Sequence, residues 1–266
     1  MPFLTSFLSS DIFYSTAGVP SLSKPAILFI HGLGSSQNYY YPQLEALSQS
    51  HYLVLFDTPG SGQSPLPSAS PTAASLIADI ANLLDHLSIS AVVVVGHSLG
   101  GLLATLFAIH RQDLVAGLVL LGPVHPSPTL AAAFATRIKT IQDAGFSLEA
   151  IYDTVPKAAT GSRASSLVHG FIRELISRQD PRGYISTCSV IAEAPSPDFS
   201  LLKDKKPAIV LVGSEDKTAP FEGCVEIIAK GLDAEVRRLD GVGHWHALED
   251  PDIVADAIRD VYSKVV

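Results

Sequence analysis

A chain of 266 residues that is 47% hydrophobic and 17% charged has enough apolar material for a sizeable core and too little charge for a disordered chain. Its net charge of −8 argues against binding to nucleic acid or to an anionic membrane surface, both of which need basic patches. Two cysteines, Cys188 and Cys224, are too few for a disulfide framework and cannot by themselves hold zinc.

The opening residues, MPFLTSFLSSD, lack a basic n-region and a long apolar stretch, so a soluble, cytoplasmic protein without a signal peptide is expected. Residues 3–8 and 12–16, with the polar turn Ser9-Ser10-Asp11 between them, read as an antiparallel hairpin. Residues 26–30, 52–56, 91–95, 118–121 and 208–212 are short runs apolar on both faces, as strands of a helix-covered parallel sheet should be. Residues 73–87 place Leu76, Ile77, Ile80, Leu83, Leu84 and Leu87 at the spacing of an amphipathic helix. Residues 99–110 read as a buried helix, and their apolar run is far short of the ~20 residues a bilayer requires.

From residue 126 to 194 no strand pattern occurs. Helix-like segments at 129–144, 148–158, 162–179 and 181–194 predict a helical cap, residues 125–195, inserted after the sixth strand. The core is then residues 1–124 and 196–266, closed by helices at 221–232 and 251–261 with a strand at 235–239 between them. Strands alternating with helices imply an α/β fold with a mostly parallel, doubly wound sheet.

Gly96-His97-Ser98-Leu99-Gly100-Gly101 lies directly between a Val-rich strand and the buried helix. A strand that enters a helix without a loop forces the intervening residue into a strained turn that presents its side chain at the sheet edge. The residues two before and two after then come so close that only glycine or another small residue fits. Ser98 also sits at a helix N-terminus, where free N–H groups favour developing negative charge. These features mark Ser98 as a nucleophile.

A serine hydroxyl needs a base, and the base needs an acid that holds its tautomer. Both should follow strands on the same sheet edge. After residues 208–212 comes Gly213-Ser214-Glu215-Asp216, where Asp216 is the expected acid and Glu215 its competitor. After the last strand comes Gly241-Val242-Gly243-His244-Trp245-His246, where His244 is the expected base and His246 its rival. His97 should point away from the nucleophile, and His31 should brace its own loop. The oxyanion donors should be the backbone N–H groups of Leu99 and of Leu33, in the loop His31-Gly32-Leu33-Gly34. Asp57, in a second Gly-rich loop, is expected to anchor a turn. No HExxH or paired His and carboxylate spacing suggests a metal, so neither metal nor cofactor is expected.

HGLG after the first parallel strand, DxPGxGxS after the second, GHSLGG after the third, GxED after a late strand and GxGHxxxxExP near the end together resemble the α/β-hydrolase superfamily. The resemblance implies the same roles for Ser98, Asp216 and His244, and matches Glu249 and Pro251 to the start of the last helix. Residues 183–192 are similar to a segment of 3-oxoadipate enol-lactonases. Serine at position 98 disfavours the dehalogenase and epoxide-hydrolase branches, which use aspartate there.

The expected activity is hydrolysis of a small carboxylic ester or lactone. C–C bond hydrolysis on the same residues is an alternative, as is a slow-turnover small-molecule receptor. His125, Phe134, Ile138, Tyr152, Phe171, Tyr184 and Trp245 are candidate pocket residues, and Arg137, Lys139, Arg163 and Arg173 could supply positive charge from the cap. Composition and spacing leave the oligomeric state open.

Overall fold

Strands that are apolar on both sides require helices on both sides, and the computed structural model, which describes residues 3–21 and 23–266, has that arrangement. Strands β1 (Phe3–Thr5) and β2 (Asp11–Ala17) form an antiparallel hairpin, and β2 pairs antiparallel with β4 (Leu53–Phe56). The remaining strands, β3 (Ala26–Ile30), β5 (Val92–His97), β6 (Val115–Leu121), β7 (Ala208–Gly213) and β8 (Glu235–Leu239), join β4 in parallel. The order across the sheet is β1-β2-β4-β3-β5-β6-β7-β8. Every residue of β3, β4 and β5 is buried, whereas β8, at the edge, exposes Glu235 and Arg238.

Helix α1 (Tyr41–Leu47) follows β3, α2 (Ala73–His86) follows β4 and α3 (Leu99–His110) follows β5. Between β6 and β7 the chain makes no strand but four α-helices, α4 (Pro128–Asp143), α5 (Glu149–Ala158), α6 (Ser166–Ser177) and α7 (Pro181–Glu193), and a 3-10 turn at Phe199–Leu201. Helix α8 (Glu226–Leu232) precedes β8, and a single turn, α9 (His246–Glu249), precedes α10 (Pro251–Ser263). Helix α3 packs on β3, β5 and β6 with α2 beside it, and α10 covers β5, β6 and β7 with α1 beside it.

Local chemistry sets the helix starts. Thr72 and Ser75 form a reciprocal capping box at α2, and the side chains of Ser127, Ser165 and Asp180 accept backbone N–H groups at the starts of α4, α6 and α7. Prolines at the first position of α4, α7 and α10 cost no hydrogen bond there.

Three expectations need correction. The helix expected over 221–232 breaks, because Glu222 is extended and Gly223 has φ +71°, so regular helix begins only at Glu226. The segment expected over 162–179 starts at Ser166, with residues 159–165 forming a loop. Residues 37–47, for which no element was expected, form a turn of 3-10 helix and α1. Among the described residues, no helix is long and apolar enough to cross a membrane.

Packing is tight where α3 leaves β5. A Cβ on Gly100 would sit 2.1 Å from the Ile30 carbonyl oxygen and 2.7 Å from that of His31. Gly170, on the exposed face of α6, has no neighbour within 4 Å of such a Cβ. Gly100→Ala is therefore expected to cost about 3 kcal/mol of unfolding free energy, and Gly170→Ala to gain about 0.5–1 kcal/mol. Urea denaturation of both variants checks the pair, and equal effects would contradict it.

Candidate active site

Ser98 occupies the turn between β5 and α3 with φ +55° and ψ −116°, a conformation that costs a non-glycine residue about 1–3 kcal/mol. The turn holds because its backbone is bonded: the Ser98 N–H donates to the Leu121 carbonyl, and the Ser98 carbonyl accepts from Gly101, Leu102 and Val124. The Leu33 loop lies against it: a Cβ on Gly32 would lie only 3.0 Å from the Ser98 Cβ. Among the described residues, neither the Leu33 nor the Leu99 N–H has a hydrogen-bond acceptor.

His244 Nδ1 donates to Asp216 Oδ2 at 2.8 Å, and the other carboxyl oxygen of Asp216 accepts the N–H groups of Thr218 (2.8 Å) and Ala219 (2.9 Å). Burial acts to raise the Asp216 carboxyl. The charge and hydrogen bond of His244, with His246 and the Ala219 N–H, outweigh burial and hold it below the ordinary value. Glu215 turns elsewhere: its carboxyl oxygens accept the N–H and hydroxyl of Ser162. The direction of one turn thus sends the two adjacent carboxylates to different partners.

The backbone around His244 is held from several sides. Glu249 accepts the N–H groups of Gly243 and Trp245, the residues flanking His244, at 2.9 Å each. The same carboxylate accepts the Gly161 N–H at 2.7 Å, and the His244 N–H donates to the Ala159 carbonyl at 2.8 Å. The loop between α5 and α6 is thus bonded directly to the loop that carries His244. The two backbones meet at Gly161 and Gly243: a Cβ on Gly243 would lie 2.5 Å from the Gly161 nitrogen. Arg163 adds a salt bridge to Asp250 at 2.6 Å.

Two further imidazoles converge on the His244 carbonyl oxygen, His97 through Nε2 at 2.7 Å and His246 through Nδ1 at 2.8 Å. Since a carbonyl only accepts, both nitrogens carry protons. His246 Nε2 accepts the Gly213 N–H, which fixes the neutral tautomer of that ring. His97 also stacks on Tyr39, with ring centroids 4.4 Å apart. His31 is fixed in the same way, donating from Nδ1 to the Gly32 carbonyl and accepting the Thr58 N–H at Nε2. Asp57 accepts the N–H groups of Gln37 and Gln63, the turn anchor that its loop suggested.

Ser98 and His244 open into one cleft of about 140 Å³. Phe134, Tyr184 and Trp245 line it, together with Leu33, Arg137, Val155, Ile176 and Thr218. The other expected pocket residues lie outside. His125 donates its N–H to the Cys224 sulfur, Tyr152 lies under the Arg173 guanidinium, Phe171 faces a separate cleft beside Asp57, and Ile138 packs half-buried against the core. Residue type alone does not reveal which of these side chains reach the cleft. Among the described residues, no group of three His, Cys, Asp or Glu side chains could hold a metal ion.

The Alpha/beta hydrolase family model matches residues 27–257. The chain belongs to that family. Among solved structures, the chain is similar to a malate-bound thermophilic esterase from Thermogutta terrifontis, at a TM-score of 0.87 and 24% identity over 99% of this chain and 98% of that one. It is also similar to the enol-lactonase from Burkholderia xenovorans LB400, at a TM-score of 0.86 and 24% identity over 98% of this chain and 100% of that one. Both likenesses establish the fold. A protein of Stutzerimonas stutzeri provisionally named carbamate hydrolase RutD is 33% identical over 50% of this chain, which there spans about half, 51%, of that relative's length.

The buried histidines make stability depend on pH. Burial, the largest influence on each, keeps His31 and His97 below the ordinary value of 6.5 and brings His246 to about 4. A lowered folded-state value gives stability that is complete above pH 6.5 and is lost as pH falls toward the folded value, by about 1.4 kcal/mol per pH unit and group. Asp79 works against this, because burial raises its carboxyl to about 6 and its stabilisation grows as pH falls through that value. Unfolding free energy is expected to fall between pH 6.5 and about pH 5. His246→Asn should remove about 2 kcal/mol of that fall. Urea denaturation across this window checks it, and an unchanged slope in the variant would count against the assignment.

Proposed function

We propose that the enzyme cleaves a small carboxylic ester or lactone through an acyl-enzyme on Ser98, with His244 as base and Asp216 as the acid that orients it. The observation that carries this reading is the 2.8 Å bond from His244 Nδ1 to Asp216 Oδ2, in a cleft that His244 shares with the strained Ser98. With Nδ1 engaged, the base face of the ring is Nε2. Ser98 Oγ attacks the substrate carbonyl carbon while Nε2 takes the hydroxyl proton. The resulting oxyanion is held by the N–H groups of Leu33 and Leu99, each of which lacks a protein acceptor. Collapse breaks the acyl–oxygen bond, and His244 gives its proton to the leaving oxygen. For a lactone, that oxygen remains tethered as the hydroxyl of the opened ring. Water, deprotonated by His244, then releases the acid and restores Ser98.

In this reading the four helices between β6 and β7 act as a cap that closes the cleft and gives it apolar walls. The names of the structural neighbours, esterase and enol-lactonase, agree with ester or lactone chemistry. Ester and lactone share the acyl–oxygen bond, so one machinery serves both.

Ser98→Ala is expected to lower kcat by about a million-fold on any substrate of the wild type, and Asp216→Asn by about ten-thousand-fold, with folding intact. Steady-state proton release on a panel of short esters and lactones reads both losses, and labelling by a fluorophosphonate followed by mass spectrometry locates the nucleophile. A Ser98→Ala variant that turns over substrate, or a label on another residue, would end the proposal. Glu249→Gln leaves one of the three N–H groups around His244 poorly bonded, and should cost about 1–3 kcal/mol of stability together with part of kcat. Glu249→Ala should lose more of both. Equal activity in the wild type and both variants would refute this positioning role.

A further inference from the structure

We propose that Gln179, in the corner between α6 and α7, is a positioning residue for the oxyanion, its side-chain amide fixing the loop that carries the Leu33 N–H. The inference rests on the ester or lactone reading above and gives the inserted helices a part in the chemistry beyond that of walls.

The two oxyanion donors are held very differently. Leu99 begins α3, directly after the Ser98 turn, whose N–H and carbonyl are bonded to Leu121, Gly101, Leu102 and Val124. Leu33 stands in a loop that has left β3 at Ile30, next to Gly34 at φ +70°. A glycine in the left-handed region leaves the chain free to move unless something outside the loop holds it. Among the described residues, the Ser35 carbonyl is the one backbone group of residues 33–35 with a hydrogen-bond partner, and that partner is Gln179.

Nε2 of Gln179 donates to the Ser35 carbonyl at 3.1 Å and to the Leu175 carbonyl, one turn back in α6, at 2.9 Å. Two carbonyl acceptors require the nitrogen end of the amide at this position, so its orientation is fixed. Ser35 is fully buried and Gln179 is 7% exposed. The Leu175 bond alone would be ordinary capping of a last helical turn, which an exposed side chain does as well. The Ser35 bond reaches instead across the fold to the loop that lacks other supports. A buried carbonyl without a donor is costly, so loss of the Gln179 amide should turn the Ser35 peptide toward another partner and carry Leu33 with it.

The corner itself is anchored. A Cβ on Gly183, at the start of α7, would lie 2.0 Å from the Gly60 carbonyl oxygen, so the two backbones are in contact. Tyr184 and Ile176 close on the Leu33 loop from α7 and α6, at 3.1 and 3.3 Å from where a Cβ on Gly34 would stand. Helix α6 runs from the loop that bonds to His244 and Glu249 to the corner that bonds to Ser35. The base and one oxyanion donor are therefore referred to opposite ends of the same helix.

The test uses Gln179→Met, similar in length and unable to donate, and Gln179→Glu, equal in shape and unable to donate when ionised. On any substrate of the wild type, kcat should fall by about ten- to a hundredfold with KM within about twofold, because a displaced donor loses more in the transition state than in the ground state. The pH profile of kcat/KM should stay in place, since Asp216 and His244 keep their contacts. The ratio of rates for an ester and its thionoester separates positioning from folding, because the C=S sulfur is a weak acceptor that draws little from the oxyanion donors. A misplaced donor lowers this ratio, whereas a smaller folded fraction lowers both rates equally. Labelling of Ser98 by a fluorophosphonate, whose phosphoryl oxygen takes the oxyanion's place, needs no substrate and should also slow in both variants. An unchanged ester-to-thionoester ratio overturns the role of Gln179 and leaves the ester reading standing. Slowed labelling in the variants, with no ester or lactone cleaved by the wild type, keeps Gln179 and overturns the ester reading. With no such turnover, labelling of both variants at the wild-type rate, or no labelling of Ser98 at all, overturns both.

Discussion

The geometry around Ser98 depends on the backbone of one residue, His244. Its imidazole can be aimed only if the chain beneath it does not move, and glycines at 241 and 243 would otherwise make that loop among the least ordered in the molecule. Hydrogen bonds supply the missing stiffness. The N–H of His244 goes to Ala159, its carbonyl receives His97 and His246, and the amides on either side go to Glu249. Donors and acceptors on both sides of a flexible stretch are thus satisfied by groups from the loop between α5 and α6, from β5 and from α9.

This arrangement uses very little net charge. Three wholly buried imidazoles are held neutral and serve as fixed donors and acceptors. The buried carboxylate of Asp216 is surrounded by N–H groups and one imidazole, and Glu249 by backbone amides. Burying a lone charge is costly, whereas burying a charge that already accepts several hydrogen bonds is far less so. Asp216 and Glu249 are buried where such donors exist, whereas Asp79 has one carboxyl oxygen without a partner and is pushed up to about 6 by burial.

Much of this was legible in the sequence, and the reason differs from part to part. Parallel strands were readable because runs such as Val92–His97 have no polar face to misplace, and the turn at Ser98 because its glycines serve steric needs that a spacing rule captures. Asp216 and Glu215 are adjacent carboxylates of the same chemistry, so only the turn that aims one at His244 and the other at Ser162 separates them. The lining of the cleft was half hidden: Phe134 and Tyr184 reach it, while Tyr152 and Phe171 lie on faces that spacing along a single helix does not orient toward a distant loop. The supports of His244 were harder still. They are mostly bonds to backbone, which leave no pattern of side chains to read, and Glu249 stood out only through a motif shared with a family.

The junction at Gly161 and Gly243 bears on how such proteins diversify. The helices between β6 and β7 supply much of the cleft's walls, and a grafted set of helices would be the natural way to change what the molecule accepts. Yet the short loop at residues 159–163 belongs to those helices while it completes the hydrogen bonding of His244, Glu215, Glu249 and Asp250. A transplant that takes this loop along with the walls must also reproduce its glycine contact and its carbonyl at 159. A transplant that leaves it behind, and keeps the corner at Gln179, can change the walls freely. The practical seam between what can be exchanged and what must stay therefore runs through the inserted helices, on either side of this loop, and does not coincide with the points where they join the sheet.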